Sequence, residues 1–166
     1  FSIERRLTCV TACVRAWREL LAPALRAPDD WVARGAMLKD GGTCTVVRVA
    51  AGDIDCVVKR YNLKGVRHAL SRAWRPSRAW HSWRAGPLLQ HLGIATPEPL
   101  AVLEERLGPL RRRAFLVTRH CPGRPLLEHL EAEREPSPAE ATALLEFFQA
   151  MHGMRIEHGD FKATNL

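Results

Sequence analysis

Apolar positions near the start of the chain recur at three- and four-residue spacing: Val10, Val14, Trp17, Leu21 and Leu25, with Arg15, Arg18 and Arg26 between them. That period predicts an amphipathic helix over residues 3–26, weakened at Pro23 and ended by Pro28. From Ala36 the pattern shortens. Ala36-Met37-Leu38, then Thr45-Val46-Val47-Arg48-Val49, then residues 54–61 predict three strands in a meander, joined by Lys39-Asp40-Gly41-Gly42 and Ala51-Gly52-Asp53. Residues 78–92 read as a helix, disturbed at Gly86-Pro87 and closed by Gly93. Pro97 and Pro99 lead into a fourth strand, Leu100-Ala101-Val102-Leu103. Leu107-Gly108-Pro109 turns the chain, and Arg113-Ala114-Phe115-Leu116-Val117-Thr118 returns as a fifth. Cys121-Pro122-Gly123 then connects to helical sequence over residues 126–133 and to a second helix from Pro138. The start of that helix is explicit: Ser137 caps it, Pro138 takes its first position and Glu140 completes a Ser-x-x-Glu box. Leu144, Leu145, Phe148 and Met151 are its expected buried face, and Gly153 its stop.

Helix, three strands, helix, two strands, helices: the order describes an α+β chain. It predicts a five-stranded antiparallel sheet carrying one helix, followed by the beginning of a helical region. The expected division is an amphipathic helical segment over 1–35, a sheet lobe over 36–120 and a partial helical lobe over 121–166, with a ligand site at the crease between the lobes. A length of 166 residues with 46% hydrophobic side chains suits one domain, or one small lobe plus part of another. The first residue is Phe1, so the chain reads as a fragment or a processed product. No apolar run approaches the ~20 residues of a membrane-spanning helix. The five cysteines, Cys9, Cys13, Cys44, Cys56 and Cys121, form no Cys-x-x-Cys pair and no zinc-type cluster with His, which suits reduced cytosolic thiols.

Charge sharpens the picture. Residues 1–84 hold 16 basic and 7 acidic side chains, residues 85–166 hold 9 and 11, and no Asp or Glu occurs from 56 to 97. Such a field attracts anions: nucleotide phosphates, nucleic acid or an acidic membrane surface.

Three stretches carry candidate chemistry. The sequence ends in His158-Gly159-Asp160-Phe161-Lys162-Ala163-Thr164-Asn165-Leu166. An Asp, a Lys two residues on and an Asn five residues on suit phosphoryl transfer: Asp160 accepts or orients the proton of an attacking hydroxyl, Lys162 neutralises the moving phosphate, and Asn165 holds a metal ion. Lys59 ends an apolar strand, placed to meet the phosphates of a nucleotide. Between the first two strands, Asp40-Gly41-Gly42-Thr43 would let backbone amides approach phosphates. Each stretch alone has an ordinary structural explanation, but their order, with a helix and two strands between, is that of protein-kinase-like enzymes.

On these residues the chain resembles the protein-kinase-like superfamily, and within it the bacterial lipopolysaccharide kinase family, which phosphorylates Kdo or heptose sugars of the lipopolysaccharide inner core. The resemblance rests on Val57-Val58-Lys59-Arg60-Tyr61-Asn62, on Leu92-Gly93-Ile94-Ala95-Thr96-Pro97-Glu98-Pro99-Leu100-Ala101 and on residues 158–166, and covers roughly 36–166. It implies a protein-kinase-like fold, with ATP and Mg2+ as cofactors. Lys59 would sit on the α/β-phosphates, Asp160 would be the catalytic Asp, Lys162 its companion and Asn165 the magnesium ligand. Gly41, Gly42 and Thr43 would belong to the loop over the nucleotide. Residues 118–121, including Arg119 and Cys121, would form the hinge that receives the adenine. A lipopolysaccharide core sugar as acceptor implies a cytoplasmic protein with peripheral contact at the anionic inner membrane and no specific nucleic-acid partner.

Three features depart from the pattern. The helix at 78–92 lacks the Glu that normally pairs with the strand lysine, Gly159 stands where many protein kinases have Arg, and the metal-binding segment expected after the catalytic loop is not part of the sequence. The rival readings are an aminoglycoside- or choline-kinase-like enzyme, against which Lys162 argues, a bacterial protein kinase, and a basic polyanion-binding module. The last is suggested by Trp74, Trp80 and Trp83 interleaved with Arg72, Arg75, Arg78 and Arg84.

Overall fold

A computed structural model describes residues 1–62, 75–108, 110–123, 126–129 and 135–157 of the chain. The strands are β1 (Ser2–Arg6), β2 (Cys9–Cys13), β3 (Ala36–Gly41), β4 (Cys44–Ala51), β5 (Ile54–Tyr61), β6 (Pro99–Leu107) and β7 (Leu110–Arg119). The helices are α1 (Arg18–Arg26), α2 (Pro28–Arg34), α3 (Arg78–His91), α4 (Leu126–His129) and α5 (Pro138–Gly153), with a 3-10 turn at Arg15–Trp17. They fall into two compact units, one of residues 1–91 and 95–120, the other of residues 92–94 and 121–166.

The first unit is built on one antiparallel sheet in the order β1-β2-β6-β7-β5-β4-β3. Strand alternation sends β4 and β5 side chains to two different cores. On one face Val47, Val49, Ile54, Cys56, Val58, Phe115 and Val117 pack with Leu21 and Ala24 of α1 and with Trp31 and Val32 of α2. Asp29 at the start of α2 fixes this layer by pairing with Arg60 of β5 at 3.3 Å and Arg113 of β7 at 2.8 Å. On the other face Ala79 and Trp83 of α3 pack on Ala12, Val102, Ala114 and Leu116, with Val14, Tyr61 and Trp80 at the margin.

The sheet therefore has seven strands, not five, and residues 3–26 are not one helix. The first part of that span is the β1–β2 hairpin, and only Arg18–Arg26 is α-helical. A spacing of four satisfies both helical and strand periods, and Val10, Ala12 and Val14 also alternate. The decision comes from β6, whose Leu100, Ala101, Val102, Leu103 and Glu104 are all buried. An open edge on such a strand would leave backbone groups unpaired. Cys9–Cys13 closes it by pairing with Ala101–Glu105, a long-range contact that local periodicity does not register. The three meander strands of the sequence reading are present, with Gly52 at φ +60° in the β4–β5 turn. Helix α3 runs unbroken through Pro87.

In the second unit the box at the start of α5 is complete. Glu140 N–H donates to the Ser137 hydroxyl at 3.3 Å, and Ser137 N–H donates to the Glu140 carboxylate at 2.7 Å. The other Glu140 oxygen meets His129 of α4 at 2.8 Å. The expected buried face is shifted: Leu144 and Phe147 are half-buried and Met151 is buried, while Leu145 and Phe148 are exposed. The 3–4 spacing of 144, 147 and 151 defines the covered stripe, and Leu145 and Phe148 lie beside it.

Helix α3 comes close to the sheet at Gly86, where an added Cβ would stand 2.7 Å from the Pro99 ring. Gly86→Ala is expected to destabilise the protein by about 1–3 kcal/mol through this overpacking against a rigid ring. Urea denaturation checks it, and an unchanged midpoint would show that the helix can retreat without cost.

Candidate functional site

Lys59 lies near the end of β5, on the face that carries α3. The pairing registers place Lys39, Val46, Lys59, Leu116 and Val102 in one row across five strands, with side chains on that face. The next row on the same face holds Gly41, Cys44, Tyr61, Ala114 and Glu104. Two lysines thus flank Val46, one row from Cys44 and Tyr61. Tyr61 packs against the cluster of Ala79 and Trp83 of α3, and burial raises its hydroxyl pKa. Burial also raises the Cys44 thiol pKa, against the opposing pull of Lys59, Lys39 and Arg78. Helix α3 supplies no carboxylate to this face, since none occurs in Arg78–His91. Among the described residues Lys59 has no ion-pair partner.

One acid on this face is fully buried: Glu104, with 0% of its surface exposed. It is not turned to Lys59. One oxygen accepts from Arg106 Nε at 2.9 Å and faces Arg106 Nη2 at 2.7 Å; the other accepts from Ser77 N–H at 3.3 Å. Ser77 in turn caps α3, its hydroxyl accepting from Trp80 N–H at 3.2 Å. A capping box draws its carboxylate from the third residue of its own helix; here Trp80 stands at that position and a strand supplies the acid instead. Arg111 of β7 donates to the Arg75 carbonyl at 2.7 Å, tying down the approach to the helix. The place of α3 on the sheet is thus set from β6 and β7.

The Gly41-Gly42-Thr43 turn joins β3 to β4 beside these rows. Neither glycine is at positive φ, and a Cβ on Gly42 would meet nothing within 4 Å, so the turn leaves its backbone uncovered. Asn62 braces it: Asn62 N–H donates to the Thr43 carbonyl at 3.1 Å, and its side-chain amide donates to the Gly41 carbonyl at 3.5 Å.

Arg119 points the other way. It belongs to the alternation of Phe115 and Val117, on the α1–α2 face, where it pairs with Glu98 at 2.8 Å and stacks 5.0 Å from the Trp17 ring. The bond to Glu98 raises the pKa of its guanidinium. The structure therefore brings Gly41, Gly42, Thr43 and Lys59 together and leaves the Arg119 side chain on the opposite face. Cys121 is exposed and belongs to the second unit. Asp160, Lys162 and Asn165 lie outside the described residues, as does Trp74. Trp83 is buried in the core and Trp80 is packed at its edge, so neither is a free stacking platform.

Sequence reasoning missed Lys39, read as a turn, and Glu104, read as following the fourth strand. The available signal for Glu104 was an acid directly after Leu100-Ala101-Val102-Leu103 with Arg106 two residues on. Among the described residues no group of His, Cys, Asp and Glu could hold a metal ion. Arg48 on this face is paired with Asp55, but Lys39 and Lys59 have no acid partner among the described residues, which suits the surface to a polyanion.

Comparison with known proteins adds the following. Residues 29–166 match the model of the lipopolysaccharide kinase (Kdo/WaaP) family. A solved structure described as "WaaP in complex with acyl carrier protein" shares the fold, with a TM-score of 0.57 at 22% identity. The match covers 86% of this chain and 56% of that one, so the chain spans little more than half the length of this relative. No curated protein gives a significant match.

The buried carboxylate gives a direct test. Glu104→Ala strands the Ser77 N–H and leaves Arg106 without its partner, and is expected to cost about 1–3 kcal/mol. Hydrogen exchange should show the amide protection of Ser77 and the first turn of α3 falling more than that of β4. Uniform protection loss across the sheet would contradict a specific anchoring role.

Proposed function

Because the chain belongs to the lipopolysaccharide kinase (Kdo/WaaP) family, we propose that it carries the nucleotide site of an ATP-dependent phosphotransferase whose acceptor is a Kdo or heptose hydroxyl of the lipopolysaccharide inner core. The observation that carries the reading is the row containing Lys59: a strand lysine beside an uncovered Gly-Gly turn, on a face whose acids among the described residues, Asp55 and Glu104, are already paired with Arg48 and Arg106. An ammonium so placed suits the α/β-phosphates of ATP. The backbone of Gly41, Gly42 and Thr43 covers the nucleotide, and the backbone of residues 118–121, rather than the Arg119 side chain, receives the adenine.

The transfer step belongs to residues 158–166. Asp160 orients the acceptor hydroxyl and takes its proton as the oxygen attacks the γ-phosphorus; the bond from that phosphorus to the β,γ-bridging oxygen breaks, ADP leaves, and Lys162 balances the charge on the transferring phosphoryl oxygens. Asn165 is the proposed magnesium ligand, and the ion, when bound, neutralises phosphate charge. Gly159 in place of Arg removes the usual contact to a phosphorylated loop, so activity is not gated in that way. We place the reaction at the cytoplasmic face of the inner membrane, where a chain with a net charge of +7 meets anionic lipid. No described helix is long and apolar enough to cross the membrane. Against the polyanion-module reading stand Trp83, buried in the core, and Trp80, packed at its edge.

In the full-length protein, Asp160→Asn is expected to lower phosphate transfer from ATP to inner-core lipopolysaccharide by about 10³-fold while nucleotide binding persists. Radiolabel transfer and calorimetry check the two halves. Unchanged turnover would refute the catalytic assignment.

A further inference from the structure

The lysine of the nucleotide site lacks the acidic partner that α3 would be expected to bring, and the first residue of that helix is an arginine. Arg78 is exposed, and among the described residues it has no hydrogen bond or ion pair. Its position is defined by its neighbours. Tyr61 packs against the cluster that holds Ala79 and Trp83 of α3, and Ser82 of that helix lies beside its hydroxyl. Tyr61 lies two residues beyond Lys59 on β5, on the same face and thus roughly 7 Å further along the strand. Arg78 directly precedes Ala79, and residues four apart on a helix share a face, so Arg78 shares the stripe of Ser82 beside this packed face. Its charge bears on both the Tyr61 hydroxyl and the Cys44 thiol, as those of Lys59 and Lys39 bear on Cys44.

Nothing in this arrangement favours the cation. The helix N-terminus is itself the positive end of the macrodipole, and the first turn holds no acid. Glu104, the buried acid nearby, is already shared by Arg106 and Ser77. Asp40, next to Lys39, lies in the row of Thr45 and accepts from its hydroxyl at 3.4 Å, which places it on the opposite face. Lys39, Lys59 and Arg78 thus stand without a counter-charge among the described residues, and a bound polyanion relieves their mutual repulsion.

Building on the kinase reading, we propose that Arg78 is a phosphate-binding residue of the nucleotide site, acting with Lys59 and Lys39, so that the polyphosphate of ATP supplies the negative charge that α3 lacks. The site is then completed by its substrate: Lys59 is held in place when nucleotide is bound, not by an internal ion pair.

The test compares ATP with adenosine on the full-length protein by titration calorimetry. Arg78→Gln is expected to weaken ATP binding about tenfold, the scale of one lost charge-assisted hydrogen bond. Adenosine binding should be unchanged, and Arg78→Lys should recover most of the loss. Unaltered ATP affinity in Arg78→Gln would overturn the proposal, and so would an equal loss for ATP and adenosine, which marks a structural role. Failure of the wild-type protein to bind either ligand would overturn the kinase reading and this proposal with it. Wild-type binding with an indifferent Arg78 would overturn this proposal alone.

Discussion

The arrangement of the α3 face depends on one carboxylate buried in the sheet. Taking Glu104 out of water is unfavourable, and its placement is sustained only because Arg106 and the Ser77 amide satisfy both oxygens. The register shift between Glu104 and Arg106 in the pairing of β6 with β7 accompanies the return of Arg106 onto a residue of its own strand. The same carboxylate fixes the first amide of the cap of α3. From that fixed point the helix runs over Ala79 and Trp83 to its close approach at Gly86 and Pro99. The internal acid is spent on holding the helix, which leaves none for Lys59.

The two faces of the sheet answer their cations unequally, although the α3 face also holds the Arg48–Asp55 and Arg106–Glu104 pairs. On the α1–α2 face every prominent cation is answered: Arg60 and Arg113 by Asp29, Arg113 also by Glu105, Arg119 by Glu98. On the α3 face Lys39, Lys59 and Arg78 have no ion-pair partner among the described residues. An ion-paired surface is a structural one, and an unanswered cluster beside an open glycine turn is suited to a ligand. A phosphate chain has the charge to match it. That contrast gives the functional reading its physical basis beyond family membership.

Much of this was legible in the sequence where structure is local. Strand β5 follows its β-branched run, and the capping box of α5 follows Ser137 and Glu140, because each is decided within a few residues. The N-terminal hairpin was not legible. Val10 and Val14 fit both periods, and the choice is made by the need of β6 for a partner some ninety residues away. The exposed Leu145 and Phe148 show a related limit, since periodicity finds an apolar face but not which stripe of it is covered. At the site, Lys59 and the Gly41-Gly42-Thr43 turn could be read directly. Lys39 and Arg78 join them only through cross-strand register and helix docking, and Arg119 is drawn away by Glu98 and Trp17.

The central claim is that the nucleotide supplies the counter-charge of the strand lysine. A crystal structure of the full-length protein with a non-hydrolysable ATP analogue tests it most directly. The account requires phosphate oxygens within hydrogen-bond reach of both the Lys59 ammonium and the Arg78 guanidinium, with Glu104 still on Ser77 and Arg106. A structure in which Lys59 pairs with a carboxylate of the protein, with the phosphates away from Arg78, would contradict it.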